Sequence, residues 1–288
     1  MEKALIVVGI LLFLYFGLKK LEVKSFGTRN KLEFENIYEF EGFRMNYRTL
    51  GEGAPVVLLH GSMYSPPWDG FENKLAEHFK VYTPDMPGFG GSEPIDGHVH
   101  NTDLFADAFC EFIKSEDLQE SPIISLSLGT VVSAKSASQG CIKGKLMFVG
   151  APSKVSGITT KLLQVTPLSV RRIIVSTRWG KDKLLIPSLN SNIGSKNKED
   201  NSDFIRDLET TDPRSIVDIN YLREINIEFP ESLKKVDNEI VYIYGENDTQ
   251  KDEVSFLTKD FIQIDGAGHN IFSSKPDQLL KKLLELLK

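Results

Sequence analysis

Short apolar segments that end in glycine or polar residues recur along the chain and predict the strands of one sheet. Residues 38–41 and 44–48 alternate between apolar and polar positions around Gly42, which is typical of a hairpin with one buried face. Other segments are apolar almost throughout, as in strands that a parallel sheet buries on both faces. These segments are residues 55–59, 80–84, 122–126, 145–149, 239–244 and 260–264.

Helices are predicted between these strands, because apolar residues recur there three and four positions apart. The predicted helices cover residues 68–79, 103–115, 128–137 and, at the end of the chain, 276–288. Strands that alternate with helices predict an α/β fold with a mostly parallel central sheet and flanking helices. We expect this core over residues 37–152 and 237–288.

Residues 153–236 interrupt the alternation, because no buried-strand run occurs among them. We expect them to form a helical cap inserted between two strands of the core. Within this segment, apolar residues recur at helical spacing in four pieces, and residues 190–202 form a polar stretch. The four helical pieces are residues 158–165, 168–175, 204–208 and 216–225.

Residues 4–18 carry no charge, which predicts an N-terminal hydrophobic helix. At ~1.5 Å per residue this helix is about 22 Å long, so it spans a membrane core of ~30 Å only if flanking lysines snorkel. We interpret residues 1–21 as a single-pass membrane anchor and residues 22–36 as a linker. Cleavage as a signal peptide, followed by secretion, is the alternative. Lysines after the segment outnumber those before it, which favours a cytoplasmic catalytic domain.

The net charge and the positions of the cysteines and histidines exclude several kinds of partner and site. The chain has 288 residues, and its net charge of -6 argues against a nucleic-acid partner. Cys110 and Cys141 lie far apart without a C-x-x-C pattern, which excludes a disulfide framework and a zinc knuckle, and Cys110 is expected to pack in the core. His98 and His100 have no neighbouring ligands in sequence and are expected to be solvated loop residues, so no metal is predicted.

A predicted strand, a sharp turn and a predicted helix surround Ser127, in the sequence Ser125-Leu126-Ser127-Leu128-Gly129. This is the context of a nucleophile elbow, although Ser125 stands where the G-x-S-x-G pattern has its first glycine. Small residues flank such a turn because the strand and the helix pass close to each other. Ser127 is therefore either a nucleophile or the N-cap of the helix.

A His-Gly-Ser sequence follows the predicted strand at 55–59. Its glycine lets the backbone turn, so that amides face open space, and the amide of Ser62 is a candidate donor to an oxyanion. His60 is interpreted as a structural hydrogen-bonding residue. Asp85 opens a loop rich in glycine and proline at 85–92, and we interpret it as the residue that organises this loop.

Asp248 and His269 each follow a predicted strand near the end of the chain. Both are therefore expected at the carboxyl edge of the sheet, where sites of parallel sheets usually lie. Glu246 is the alternative acid, although it lies closer to the end of its strand.

Together these segments resemble the α/β-hydrolase superfamily. The resemblance covers the chain from about residue 38 to its end and includes the position of the helical cap. It rests on His60-Gly61-Ser62, the loop at 85–92, the elbow at Ser127, Gly245-Glu246-Asn247-Asp248 and Gly268-His269, in that order.

The resemblance implies a catalytic triad of Ser127, Asp248 and His269, with the backbone amides of Ser62 and Leu128 as the oxyanion hole. It implies no metal and no organic cofactor. Haloalkane dehalogenases and epoxide hydrolases of this fold carry aspartate at the elbow, so Ser127 argues against both.

The implied function is a serine hydrolase that cleaves a carboxylic ester through an acyl-enzyme intermediate. The hydrophobic N-terminus and the apolar residues of the cap motivate a lipid-like ester as one candidate substrate. Thioesterase, amidase, carbon–carbon hydrolase, acyltransferase and cofactor-free peroxidase activities stay open, as does a non-catalytic ligand-binding module. The sequence indicates no oligomeric state.

Overall fold

A computed structural model describes residues 9, 12–14, 36–40, 43–62, 68–156, 158–180, 183, 211–258 and 260–288 of the chain. These residues form an eight-stranded central sheet with helices packed on both of its faces. The predicted α/β fold with a mostly parallel sheet is confirmed.

The strands lie close to their predicted positions. They are β1 (Asn36–Phe40), β2 (Phe43–Leu50), β3 (Pro55–Leu59), β4 (Lys80–Pro84), β5 (Ile123–Leu126), β6 (Leu146–Val149), β7 (Ile240–Gly245) and β8 (Ile262–Ile264). Their order in the sheet is β1-β2-β4-β3-β5-β6-β7-β8. β1 and β2 form the predicted hairpin, whose turn at Gly42 lies outside the described residues; β2 also pairs antiparallel with β4, and the remaining pairs are parallel.

The helices are α1 (Phe71–Ala76), α2 (Thr102–Ser115), α3 (Leu128–Ser138), α4 (Ile158–Val165), α5 (Leu168–Ser176), α6 (Arg178–Gly180), α7 (Arg214–Val217), α8 (Tyr221–Arg223), α9 (Phe229–Leu233), α10 (Ile271–Ser274) and α11 (Pro276–Leu286). There are also 3-10 segments at Trp68–Gly70 and Thr249–Phe256 and a π-helical turn at Glu224–Glu228. The helix predicted over residues 68–79 is shorter, because Trp68, Asp69 and Gly70 have positive φ and the α-helix begins only after them.

β3 shows why the sheet is buried on both faces. Val57 and Leu59 belong to an apolar cluster that includes residues of α2 and α3, whereas Val56 and Leu58 belong to a cluster with α1, α10 and α11. This division follows from the two-residue period of a strand. Each of the four side chains is fully buried, which stabilises the fold by about 1.5–3 kcal/mol per side chain.

The described part of the segment between β6 and β7 consists of helices and loops and contains no strand. The single helix predicted over residues 216–225 is wrong, since α7 ends at Val217 and α8 begins at Tyr221. The side chain of Asn220 accepts the N–H of Arg223 at 3.2 Å and so begins a new helix. The helix predicted at 204–208 and the polar stretch at 190–202 lie outside the described residues.

The prediction of a membrane anchor needs correction. Most of residues 1–21, and residues 22–35 of the predicted linker, lie outside the described residues. In the part of the chain that the structure describes, no helix is long and apolar enough to cross a membrane, which takes about 20 residues. On this finding, the prediction of a single-pass membrane anchor at residues 1–21, with the membrane as partner, is wrong.

Cys110 and Cys141 form a disulfide bond, which corrects the expectation that Cys110 is only a packing residue. Cys110 lies on α2 and Cys141 follows the end of α3, and the two helices pack against each other. Their Cα atoms are 5.6 Å apart, a usual separation for a disulfide. The sequence separation of 31 gave no sign of this proximity.

Candidate functional site

Ser127 lies at the turn between β5 and α3, as predicted. Its backbone has φ 50° and ψ -117°, a conformation that costs a residue with a side chain about 1–3 kcal/mol. The N–H of Ser127 donates to the carbonyl oxygen of Val149 at 3.0 Å, and its carbonyl oxygen accepts the N–H of Thr130 at 2.9 Å. Its side chain does not cap α3, so the N-cap interpretation is wrong. The strained turn is characteristic of a nucleophile elbow.

Two glycines let the elbow pack closely against the loop after β3. A Cβ atom on Gly129 would lie 2.5 Å from the carbonyl oxygen of His60, so only glycine fits where α3 passes this loop. A Cβ atom on Gly61 would lie 3.0 Å from the Cβ of Ser127. The chain therefore runs directly beside Ser127 at Gly61 and continues into the buried Ser62.

The two predicted oxyanion donors both belong to segments that adjoin the elbow. Ser62 follows Gly61, and Leu128 is the first residue of α3. The first N–H groups of a helix have no partner within the helix and carry its positive dipole. Backbone amides of this kind can stabilise a negative oxygen at Ser127.

His60 is structural, as expected. Its Nε2 accepts the N–H of Met86 at 2.9 Å, so Nδ1 carries the proton and donates to the carbonyl oxygen of Gly61 at 2.7 Å. Burial lowers the pKa of His60 to about 4, which keeps the ring neutral. Asp85 organises the following loop, because its Oδ2 accepts the N–H of Gly91 at 2.8 Å.

His269 and Asp248 are in contact, although they come from loops after different strands. Nδ1 of His269 lies 2.9 Å from Oδ2 of Asp248. Because an ionised carboxylate only accepts, Nδ1 holds the proton and donates it to this bond. The side chains of His269 and Asp248 are 5% and 0% exposed. The bond fixes the tautomer, so the other ring nitrogen, the buried Nε2, is the one that can accept a proton.

One backbone bond holds these two loops together, and a second bond fixes the carboxylate of Asp248 within its own loop. The N–H of Asn247 donates to the carbonyl oxygen of Ala267 at 2.9 Å, and Oδ1 of Asp248 accepts the N–H of Gln250 at 2.9 Å. The alternative acid, Glu246, is exposed, and its carboxylate accepts the N–H of Gly266 at 2.8 Å. Asp248 and not Glu246 is therefore the acid that contacts the histidine.

Gly150 joins the elbow to the His–Asp pair, a role that was not predicted from the sequence. It follows Val149, which binds the N–H of Ser127, and has φ 58°. A Cβ atom on Gly150 would lie 2.9 Å from Cε1 of His269 and 3.3 Å from Oδ2 of Asp248. The elbow and the pair thus lie against neighbouring residues of one strand end. A glycine directly after a buried strand was the available signal.

His100 does not take part in this site. It is fully buried, in contrast to the expected solvated residue, and its Nε2 accepts the N–H of Ile95 at 3.0 Å. Its backbone N–H donates to Asp218, which also binds Arg172. Within the described ranges, no group of three or more histidine, cysteine or acidic side chains could hold a metal ion. These bonds instead tie the segment between β6 and β7 to the loop before α2.

Known proteins resemble this chain in sequence and in fold. Residues 56–282 match the sequence model of the Alpha/beta hydrolase family. A soluble epoxide hydrolase of Corynebacterium sp. (strain C12) is 48% identical over 65 residues, which are 21% of this chain and 22% of that protein. A pimeloyl-[acyl-carrier protein] methyl ester esterase of Aliivibrio fischeri (strain MJ11) is 30% identical over 95 residues, 32% of this chain and 34% of that protein.

The chain spans about a third or less of the length of the curated relatives that it matches. Solved structures match over far more of it. A thermophilic esterase from Thermogutta terrifontis superposes with a TM-score of 0.68 at 17% identity, over 90% of this chain and 97% of that one. At this identity the likeness establishes the fold alone.

Proposed function

This chain belongs to the alpha/beta hydrolase family, and from that membership we propose that it is a serine hydrolase that cleaves carboxylic esters. Ser127 is the proposed nucleophile, His269 the general base, and Asp248 the acid that orients the histidine. The amides of Ser62 and Leu128 are the proposed oxyanion hole. The observation that carries the proposal is the buried His269–Asp248 hydrogen bond, which lies against the strand end that binds the elbow.

The proposed reaction uses each group in turn. A serine hydroxyl is a weak nucleophile until a base takes its proton during attack. The Oγ of Ser127 attacks the ester carbonyl carbon while its proton moves to Nε2 of His269, and Asp248 stabilises the resulting imidazolium. The tetrahedral intermediate collapses to an acyl-enzyme, and the leaving alcohol takes the proton. Water then attacks the acyl-enzyme by the same route and releases the acid.

The similarity to an epoxide hydrolase introduces a second substrate class, which the chemistry of Ser127 opposes. Attack of a serine oxygen on an epoxide carbon would leave an ether, which water and a histidine base do not hydrolyse. Attack on an ester carbonyl leaves an acyl-enzyme, which they do hydrolyse. The esterase among the relatives is consistent with this choice.

The test is turnover of 4-nitrophenyl esters of graded acyl length by the full chain and by Ser127→Ala. Loss of the nucleophile should lower kcat by roughly 10⁴-fold or more, with Tm unchanged within about 2 °C. Ser125→Ala is the matched control, because Ser125 is buried in β5 and its hydroxyl has no hydrogen-bond partner among the described residues. Turnover by wild type that survives in Ser127→Ala, or no turnover by wild type, would overturn the proposal.

A further inference from the structure

Residues 150–153 lead from the end of β6 into the segment between β6 and β7, and they adjoin both parts of the site. The residue before them, Val149, accepts the N–H of Ser127 at 3.0 Å. Their first residue, Gly150, lies against the ring of His269, since a Cβ atom there would lie 2.9 Å from Cε1. The position of residues 150–153 therefore limits how closely the histidine ring can approach the strand end that binds the elbow.

Gln250 is bonded to the far end of these residues through both its side chain and its backbone. The N–H of Ser153 donates to Oε1 of Gln250 at 3.2 Å, and the hydroxyl of Ser153 donates to the carbonyl oxygen of Gln250 at 2.7 Å. Ser153 and Gln250 are 1% and 8% exposed, so these polar groups depend on each other for hydrogen bonds. Because Gln250 lies two positions after Asp248, the two bonds tie residues 150–153 to the loop that carries the acid.

Gln250 also contacts the acid itself. Its N–H donates to Oδ1 of Asp248 at 2.9 Å, whereas Oδ2 lies 2.9 Å from Nδ1 of His269. Each carboxylate oxygen thus has its own donor, and a hydrogen bond to an ionised acceptor is stronger than one to a neutral acceptor. The bond from Gln250 therefore helps to set which oxygen faces the histidine, and the same residue holds residues 150–153.

A further bond holds the middle of residues 150–153 on the strand before the acid. The hydroxyl of Tyr244, a fully buried residue of β7, donates to the carbonyl oxygen of Ala151 at 2.9 Å. Burial raises the pKa of Tyr244, and the negative charge of Asp248 raises it further, so the hydroxyl keeps its proton and stays a donor. The segment is thus attached at Ala151 and at Ser153, and the attachment at Ser153 runs through the residue that also binds the acid.

We propose that Gln250 is a positioning residue for the proposed ester hydrolysis, on which this inference rests. It holds the carboxylate of Asp248 and residues 150–153 in one arrangement, and the ring of His269 is fixed between them. Nδ1 of the ring contacts the carboxylate, and Cε1 lies next to Gly150. A misplaced general base slows proton transfer more than it weakens substrate binding, so Gln250 should contribute to kcat and little to KM.

The first test is the kinetics of Gln250→Leu, which removes the amide acceptor and keeps a side chain of similar size. With a 4-nitrophenyl ester, kcat should fall by roughly tenfold or more while KM stays within about threefold of wild type. Ser153→Ala removes the hydroxyl from the other partner and should lower kcat in the same direction. It serves if Gln250→Leu fails to fold, and each variant is assayed well below its Tm.

Lys251→Met is the matched control. The neighbouring Lys251 also bonds within this loop, where its Nζ donates to the carbonyl oxygen of Glu246 at 2.6 Å, but this bond lies on the surface and away from Ser153. Lys251→Met should keep kcat within about threefold of wild type. An unchanged kcat in Gln250→Leu, a rise in KM alone, or an equal loss of kcat in Lys251→Met would overturn the inference.

Proton NMR separates this inference from the proposed hydrolysis, because it needs no substrate. The Nδ1 proton of His269, buried in the bond to Asp248, gives a far-downfield signal, which His269→Ala identifies by its disappearance. The signal should be sharp in wild type and in Lys251→Met. It should broaden or vanish in Gln250→Leu, because a proton in a loosened pair exchanges faster with water.

This loss of signal supports the positioning role of Gln250 even if no ester is cleaved. A signal that is as sharp in Gln250→Leu as in wild type, together with unchanged ester turnover, overturns the inference and leaves the esterase proposal standing.

Discussion

Gly150→Ala is the change that most sharply probes the link between the elbow and the His–Asp pair. A Cβ atom at this position would lie 2.9 Å from Cε1 and 3.1 Å from Nδ1 of His269. Carbon atoms normally approach to ~3.5–4.0 Å, so the ring must move by about 0.6–1.1 Å. The left-handed backbone at φ 58° also costs an alanine about 1–2 kcal/mol of folding free energy.

The expected result is a large loss of activity with a modest loss of stability. A displacement of ~1 Å in a reacting group costs roughly 10²-fold in rate, so kcat/KM for an ester should fall by about 10–100-fold. The free energy of unfolding should fall by about 1–3 kcal/mol, and urea titration measures it. Activity is measured well below the denaturation midpoint, so unfolding does not contribute.

Gly140→Ala is the control for the backbone cost. Gly140 has φ +81°, and a Cβ atom there would meet nothing within 4 Å. This variant should lose similar stability and keep its activity. If Gly150→Ala turns over esters as fast as wild type, or if Gly140→Ala loses as much activity, Gly150 does not position the His–Asp pair.

The remaining predictions concern stability, pH and the acid. Replacing Cys110 and Cys141 with serine should lower the free energy of unfolding by about 2–4 kcal/mol in urea, as expected for a closed loop with a sequence separation of 31, and reductant should then have no further effect. Burial lowers the pKa of His60 from 6.5 to about 4, so between these pH values His60 is protonated in the unfolded chain and neutral in the folded chain. His60 should therefore cost about 3 kcal/mol of stability as pH falls from ~6.5 to ~4, and His60→Gln should flatten that part of a pH–Tm curve. Asp248→Asn should lower kcat by roughly 10⁴-fold, because the amide no longer holds His269 in the required tautomer. Glu246→Gln should change kcat by less than about threefold. Steady-state kinetics of both variants at the same pH makes the comparison.

Local sequence patterns predicted the parts of this molecule that lie at strand ends. β3, β5 and β7 are apolar runs, and each is followed by a residue that the site contains or adjoins: Gly61, Ser127 and Asp248. The two-residue period and the burial of parallel strands are properties of short segments, so a single sequence carries them. The same holds for Ser127, whose strained turn follows from the strand–turn–helix pattern.

Contacts between distant segments were not predictable in the same way. The disulfide of Cys110 and Cys141 depends on how α2 packs on α3, and the role of Gly150 depends on where the loop after β8 places His269. His100 looked like an exposed loop histidine, because the carboxylate of Asp218 that its backbone N–H binds lies 118 positions later. Spacing along the chain gives no measure of such distances.

Labelling with a fluorophosphonate shows whether Ser127 is a nucleophile that His269 activates. The reagent forms a stable bond only with an activated serine hydroxyl, and mass spectrometry of peptides locates the adduct. We expect one adduct per chain, on Ser127, and a labelling rate that falls by at least roughly 10²-fold in His269→Ala. An unlabelled Ser127 in the folded chain, or equal labelling of wild type and His269→Ala, would contradict a nucleophilic Ser127 activated by His269.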